Sequence, residues 1–373
     1  MTTDTKQAGR LASLDALRGF DMFFITGGAA LIAAVAKLFG DRGGWLAGQM
    51  QHVPWEGLAH HDTIFPLFLF LAGVSWPFSH ASQVAKGVST GRIYLKIVRR
   101  AAILFAFGLS LGGIFQFLPN FRIPSVLGFI GLSWAVAAVF FMNVKGVRAR
   151  VAAVGALLIG YWALLSFTVA PDAPAGAGSY EQAGNIVSWL DRTLMTNHIY
   201  VKGVYDPESL FSLPGGVAMA LLGMLAGAWL RRTDVSEGRK AAGLAGGALG
   251  LLALDALFIW VLGDRIVKAL WTSSFVLSAA TYSCAMLALF YWLVDVKGWR
   301  GWTLYFRVIG LNSITIYMAQ NILGFQRARD YFFSGLVEAV PQAWSPVVSS
   351  VGYLAVVWLF LYILYRNKVF LKV

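Results

Sequence analysis

Uninterrupted apolar runs of about 20 residues, following one another along most of the chain, leave few ways for it to fold. A run of that length matches the hydrocarbon thickness of a bilayer when it is helical. A helix also satisfies its own backbone polar groups where no water can do so. The runs are continuous and do not alternate in ten-residue segments, which argues against an outer-membrane barrel. Of the 373 residues, 58% are hydrophobic and 13% charged, where a soluble domain carries roughly 45–50% and about 25%. With a mean hydropathy of +0.66, the chain reads as all-α, a polytopic integral membrane protein whose partner is the lipid bilayer.

Apolar windows and their breakers predict ten spans, near 17–39, 62–83, 98–118, 124–142, 149–170, 211–230, 241–262, 270–293, 304–325 and 345–365. An even number puts both termini on one side. That side then holds 21 of the 30 Lys and Arg residues, among them Lys6, Arg10, Arg18, Arg99, Arg100 and Lys372. The positive-inside rule makes it the cytoplasm. The net charge of +12 is thereby explained by topology, and no nucleic-acid partner is expected. The polar first ten residues, followed by a run longer than a signal h-region, predict no cleavable signal peptide. A lone cysteine, Cys284, predicts neither an intramolecular disulfide nor a CxxC redox or metal site. Residues 1–373 are read as one transmembrane domain, with a long outer loop over 171–210 that partly folds across the outer face. Gly243, Gly246, Gly247 and Gly250 are expected at a close helix contact.

The chemically dense stretch HVPWEGLAHHDTIFPLFLFLAG (52–73) runs from the first outer loop into the second span. His52, Glu56, His60, His61 and Asp62 fall within eleven residues there. Imidazole titrates near neutral pH, so a histidine at this interface is a natural general base. The spacing matches no zinc pattern, and no metal is expected. SLDALRG (13–19) places Asp15 and Arg18 on one helical face. They are read either as an ion pair fixing a helix end or, for Arg18 with Arg99 and Arg100, as a seat for an anionic ligand such as nucleotide phosphates. Asn312, inside a span, is either a helix-to-helix hydrogen bond or a site donor.

The order of motifs resembles the membrane acyltransferases typified by heparan-alpha-glucosaminide N-acetyltransferase and its bacterial relatives. The resemblance is carried by SLDALRG (13–19), the histidine segment (52–73), RIPSVLGFIGLSW (122–134), the Tyr-Asp-Pro-Glu stretch (204–230), WTSSFVLS (271–278) with VDVKGWRGW (294–302), and GLNSITIY (310–317). It covers nearly the whole chain. It implies transfer of an acetyl group from cytosolic acetyl-CoA to the amine of a glucosamine across the membrane. The family's essential histidine maps to His52, its Asp to Asp62 and its Asn to Asn312. The chain departs from the animal enzyme at Glu56, Ala59, His60, His61 and Gln320, positions that the resemblance sets around the acceptor site.

The resemblance thus implies His52 as general base or acyl carrier, with Asp62 and Asn312 beside it. Glu56, His61, Asp206 and Glu208 are the candidate acceptor contacts. Arg18, Arg99 and Arg100 are assigned to the acetyl-CoA phosphates on side and charge alone. The implied acceptor is glucosamine or a partly deacetylated chito-oligosaccharide, and the implied location a bacterial inner membrane. A sugar or amino-sugar carrier without acyl transfer is the alternative, suggested by the intramembrane Asp15, Arg18, Asp21 and Asp255. The oligomeric state is not legible, and a homo-oligomer stays open.

Overall fold

A computed structural model describes residues 11–116 and 120–371, so Lys6, Arg10, Lys372 and the end of the expected span 98–118 lie outside the described residues. Fifteen α-helices follow one another, with no strand among the described residues. The first five are α1 (Ala12–Phe23), α2 (Ala29–Lys37), α3 (Gly44–Gln49), α4 (His60–Ala85) and α5 (Thr90–Leu111). Next come α6 (Val126–Asn143), α7 (Val147–Phe167), α8 (Ile186–Leu194), α9 (Leu213–Leu230) and α10 (Glu237–Trp260). The last are α11 (Ser273–Tyr291), α12 (Thr303–Gly310), α13 (Ser313–Ile322), α14 (Phe325–Ala339) and α15 (Ser345–Arg366).

Eight of these segments are long and apolar enough to cross a bilayer, with α1 and α2 counting as one over Ala12–Lys37. The protein is an integral, multi-pass membrane protein. Two expected spans look different from the sequence reading. The one placed at 98–118 starts at Thr90, because the helix extends back through Arg92, Lys96, Arg99 and Arg100, and those charges leave its first half polar. The one placed at 304–325 breaks after α12, where Asn312 leaves the helical region (φ −119°, ψ 26°) before α13 begins. The sequence reading also missed α14, whose Arg327, Arg329, Asp330 and Glu338 hid it among loop residues.

Helix packing follows from small residues that let backbones meet. α4 lies against α9, and a Cβ on Gly223 or Gly227 would stand 2.2 Å from the carbonyl oxygen of Phe70 or Val74. A four-residue glycine spacing of this kind is how helices approach closely without a hydrophobic driving force between them. α1 and α12 pack antiparallel in the same manner, Gly19 against Phe306 and Gly310 against Asp15. The glycines expected to pack in α10 divide. Gly243 is closed off by Trp229 and Gly247 faces Cys284, whereas Gly246 and Gly250 face open space. Cys284 is free and buried.

The 171–210 connection is folded. Val169 pairs with Asn185, and α8 is capped by the Asn185 side chain, which accepts from the Ser188 N–H at 2.7 Å. Asp191 on α8 is fully buried and accepts from the Ser209 hydroxyl at 2.6 Å and from the Asp206 N–H at 3.2 Å. Burial pushes its carboxyl up to about 7, with the Asp206 charge adding to the rise and the Ser209 and Asp206 donors opposing it. A carboxyl raised on folding stabilises the fold fully below the ordinary carboxylate range, and that contribution is lost as pH rises through about 7. Asp191→Asn should therefore flatten the fall in melting temperature between about pH 4 and pH 7. A constant offset from the parent protein across that window would contradict this.

Candidate functional site

The segment before α4 is tied down by one carboxylate. Asp62 sits at the third position of α4 and is fully buried. Its Oδ2 accepts the Ala59 N–H at 3.1 Å and the Val53 N–H at 3.3 Å, so it reaches back to cap its own helix. Its Oδ1 faces two side chains, His52 Nδ1 at 2.7 Å and Lys268 Nζ at 3.2 Å. An ionised carboxylate only accepts, so His52 donates from Nδ1 and keeps its lone pair on Nε2, which lies 3.5 Å from Lys268 Nζ. Lys268 Nζ also lies 2.9 Å from His52 Nδ1, because both donors converge on one oxygen. The His52 side chain is 55% exposed, while Lys268 is 16% and Asp62 0% exposed. The arrangement is an open imidazole standing on a buried ion pair.

Lys268 was absent from the sequence-derived site. It comes from a loop 206 residues away from Asp62. It opens a short 3-10 turn, Lys268–Leu270, that ends at Trp271 in the left-handed region (φ 49°). A non-glycine residue there is strained, and the indole holds the position by being wholly buried against Phe65, Phe129 and Phe275. The rest of the Trp-Thr-Ser-Ser-Phe motif completes the support. Thr272 caps α11, the Ser273 hydroxyl donates to the Leu158 carbonyl at 2.7 Å, and the Ser274 N–H donates to Asp264 at 2.7 Å. The motif therefore builds the platform for a lysine that lies just before it. Burial pushes the Lys268 ammonium down, and Asp62 and Glu208 oppose that shift. The available signal was a lysine adjoining that motif on the side poorer in positive charge.

Around this centre the remaining candidates divide. The His61 ring packs on His52 with centroids 4.5 Å apart. Glu56 is exposed and pairs with Arg265 at 3.4 Å, while Gly57 N–H donates to the Ile266 carbonyl at 2.8 Å, so the loop before α4 is clipped to the loop before α11. Asp206 and Glu208 are buried and both bind Arg122, whose Nε donates to Asp206 Oδ2 at 2.8 Å. Burial raises the Glu208 carboxyl, against the pull of Arg122. The two carboxylates thus hold the long connection to the segment before α6, and Arg122 is a further residue that sequence reasoning did not place at the site. Asn312 is 2% exposed, and neither of its side-chain polar atoms has a hydrogen-bond partner among the described residues.

The three arginines meet toward the other end of α4. A cavity of about 420 Å³ is lined by Ser75, Ser79, Lys96, Arg99, Arg100 and Trp134, among others. Arg100 lies over the Trp134 ring, 4.3 Å from its centroid. Arg18 donates to Ser75 at 3.2 Å and also pairs with Asp15 at 3.7 Å, the ion pair that its spacing offered. Asp62 and Ser75 are thirteen residues apart on one helix, about 20 Å at 1.5 Å per residue. No group of His, Cys, Asp and Glu able to hold a metal ion is found among the described residues.

No family model matches the chain. Two curated proteins align with nearly all of it, both heparan-alpha-glucosaminide N-acetyltransferases. The Homo sapiens protein is 27% identical over 98% of this chain, and the Mus musculus protein 27% identical over 100%. The chain spans 60% and 62% of their lengths. The likeness along the whole chain is that of a distant family relationship.

Proposed function

We propose that this distant relative of the heparan-alpha-glucosaminide N-acetyltransferases moves an acetyl group across a membrane, from acetyl-CoA to the amine of glucosamine or a related amino sugar. The observation that carries the reading is the His52–Asp62 contact at 2.7 Å with Lys268 on the same carboxylate oxygen. An amino-sugar amine is largely protonated at neutral pH and becomes a nucleophile only on losing that proton. His52 Nε2 takes it as general base, and Asp62 holds the imidazole in the required tautomer and stabilises the imidazolium. The same nitrogen is the one that would carry the acetyl group if transfer ran through an acyl-histidine.

In this reading both termini and the arginine cavity face the cytoplasm of a bacterial inner membrane. The donor phosphates sit among Arg18, Arg99 and Arg100. The pantetheine arm runs along α4 over about 20 Å, a span it covers when extended. Asn312, with its unpartnered amide, faces the thioester or the acceptor, and Glu56 and His61 flank the sugar. Asp206 and Glu208 serve the acceptor by holding the loop.

The test is a proteoliposome assay with acetyl-CoA on the arginine side and glucosamine on the His52 side. Release of CoA matched by N-acetylglucosamine is the expected result. Glucosamine crossing unmodified would overturn the reading in favour of a carrier. Acetyl-CoA should also raise the melting temperature in detergent, since a ligand that binds only the folded state stabilises it. Charge-assisted hydrogen bonds contribute about 1.5–3 kcal/mol, so Arg99→Ala and Arg100→Ala should each weaken that binding by roughly tenfold or more. Equal thermal shifts in these variants would move the donor site elsewhere.

A further inference from the structure

The outer face of α14 does not suit lipid, although its depth is that of the hydrocarbon. The helix runs antiparallel along α15. The Ser345 hydroxyl donates to the Val337 carbonyl at 3.0 Å, a Cβ on Gly352 would stand 2.7 Å from the Phe333 ring, and the Phe325 and Phe360 rings lie 5.3 Å apart. α15 has 22 residues and is apolar enough to span a bilayer. The register therefore puts Asp330 level with its middle, about 15 Å from either end at 1.5 Å per residue. That stretch of α15 is central by its other neighbour too, since Tyr353 and Leu354 close over Gly27, near the middle of the span Ala12–Lys37. On the side of α14 turned away from α15, Arg327, Asp330, Tyr331, Ser334 and Glu338 follow helical spacing, and all are exposed. Arg329 donates to Asp330 Oδ1 at 2.8 and 2.5 Å, which leaves Oδ2 open. Arg327 has no hydrogen-bond or ion-pair partner among the described residues. α10 shows what a lipid face consists of, with Leu249, Leu252 and Leu257 exposed along it.

A charged side chain at the centre of a bilayer is costly, and it is normally paired or turned toward protein. An aspartate is far too short to carry its charge to water over that distance. We infer that this face of α14 is where two copies of the chain meet in the membrane. Copies inserted in the same sense relate by a twofold axis along the membrane normal, which sets the two α14 helices side by side and parallel. Asp330 lies one turn beyond Arg327 on the same face. In the pair, the open Arg327 guanidinium of each copy reaches the open Asp330 oxygen of the other, so the bond forms twice. The face is complementary to itself, whereas lipid tails offer neither charge a partner. The Tyr331 rings meet close to the axis, where an interface places its aromatic anchors. This pairing is independent of the acetyl transfer proposed above.

Disulfide cross-linking of the full-length protein in native membranes tests the pairing. Its lone cysteine is buried, so the parent protein is the blank. Tyr331→Cys should give a covalent dimer on oxidation, and Leu252→Cys, on the exposed side of α10, should not. Energy transfer between labelled copies in detergent gives the strength of association. Arg327→Glu and Asp330→Arg should each weaken it about tenfold or more, because each loses two charge-assisted bonds and sets like charges together. The double variant should recover it, since the two charges trade places. A parent protein that is monomeric in membranes overturns the inference, as does cross-linking at Tyr331→Cys no stronger than at Leu252→Cys. Labelling of Tyr331→Cys by a membrane-impermeant thiol reagent without cross-linking would show a face lining a water-filled space, and would overturn it too. Tyr331 is 83% exposed, so its replacement removes little packing and decides the matter if the charge variants fail to insert.

Discussion

His52→Ala should lower acetyl transfer to an amino sugar by roughly 10²- to 10⁴-fold, the usual contribution of a positioned general base, while folding and acetyl-CoA binding stay close to normal. The side chain is 55% exposed and pairs with Asp62, so truncation removes little packing. Asp62 keeps Lys268 and both loop N–H donors when the imidazole is gone. Transfer rate and acetyl-CoA thermal shift, measured on the same preparation, separate the two effects. Near-parental turnover would remove His52 from the chemistry.

Asp62→Asn should be the most destabilising single change at the site. The amide leaves the Lys268 ammonium, 16% exposed, beside a group with no charge to offset its own. An unpaired buried charge costs about 3–5 kcal/mol. The amide also cannot accept at both oxygen positions. Either an NH₂ faces His52 and Lys268, or it faces the Val53 and Ala59 N–H groups that frame the helix start. Adding Lys268→Met should recover most of the lost stability and none of the activity, because the stranded charge goes but the imidazole is still unheld. Chemical denaturation of the four proteins of this cycle gives the coupling directly. An Asp62→Asn variant as stable as the parent would show that the pair contributes nothing.

Much of this molecule is written locally. Apolar runs near bilayer length mark where helices cross, because in lipid a backbone has no other way to satisfy itself. The segment from His52 to Asp62 is also local, since a helix cap three residues into α4 orients a carboxylate toward a loop just before it. Where charge competes with hydropathy, that reading loses detail. α5 hides its first turns behind four basic residues, and α14 hides entirely.

Pairings between distant segments were not legible. Lys268 reaches Asp62 across 206 residues, and Arg122 reaches Asp206 across 84. No periodicity in either segment announces its partner. The roll of basic residues suggested a phosphate seat, but only the packing of α1, α4 and α5 brings Arg18, through Ser75, to the cavity that Arg99 and Arg100 line. By itself the sequence determined that the chain is a bundle of membrane helices with an imidazole and a carboxylate at the start of α4, since hydropathy and capping act over one or two turns. The tertiary structure alone decided which distant charges neutralise that carboxylate and which buried polar atoms are left unpartnered, since burial makes such charges costly unless the fold brings their partners to them.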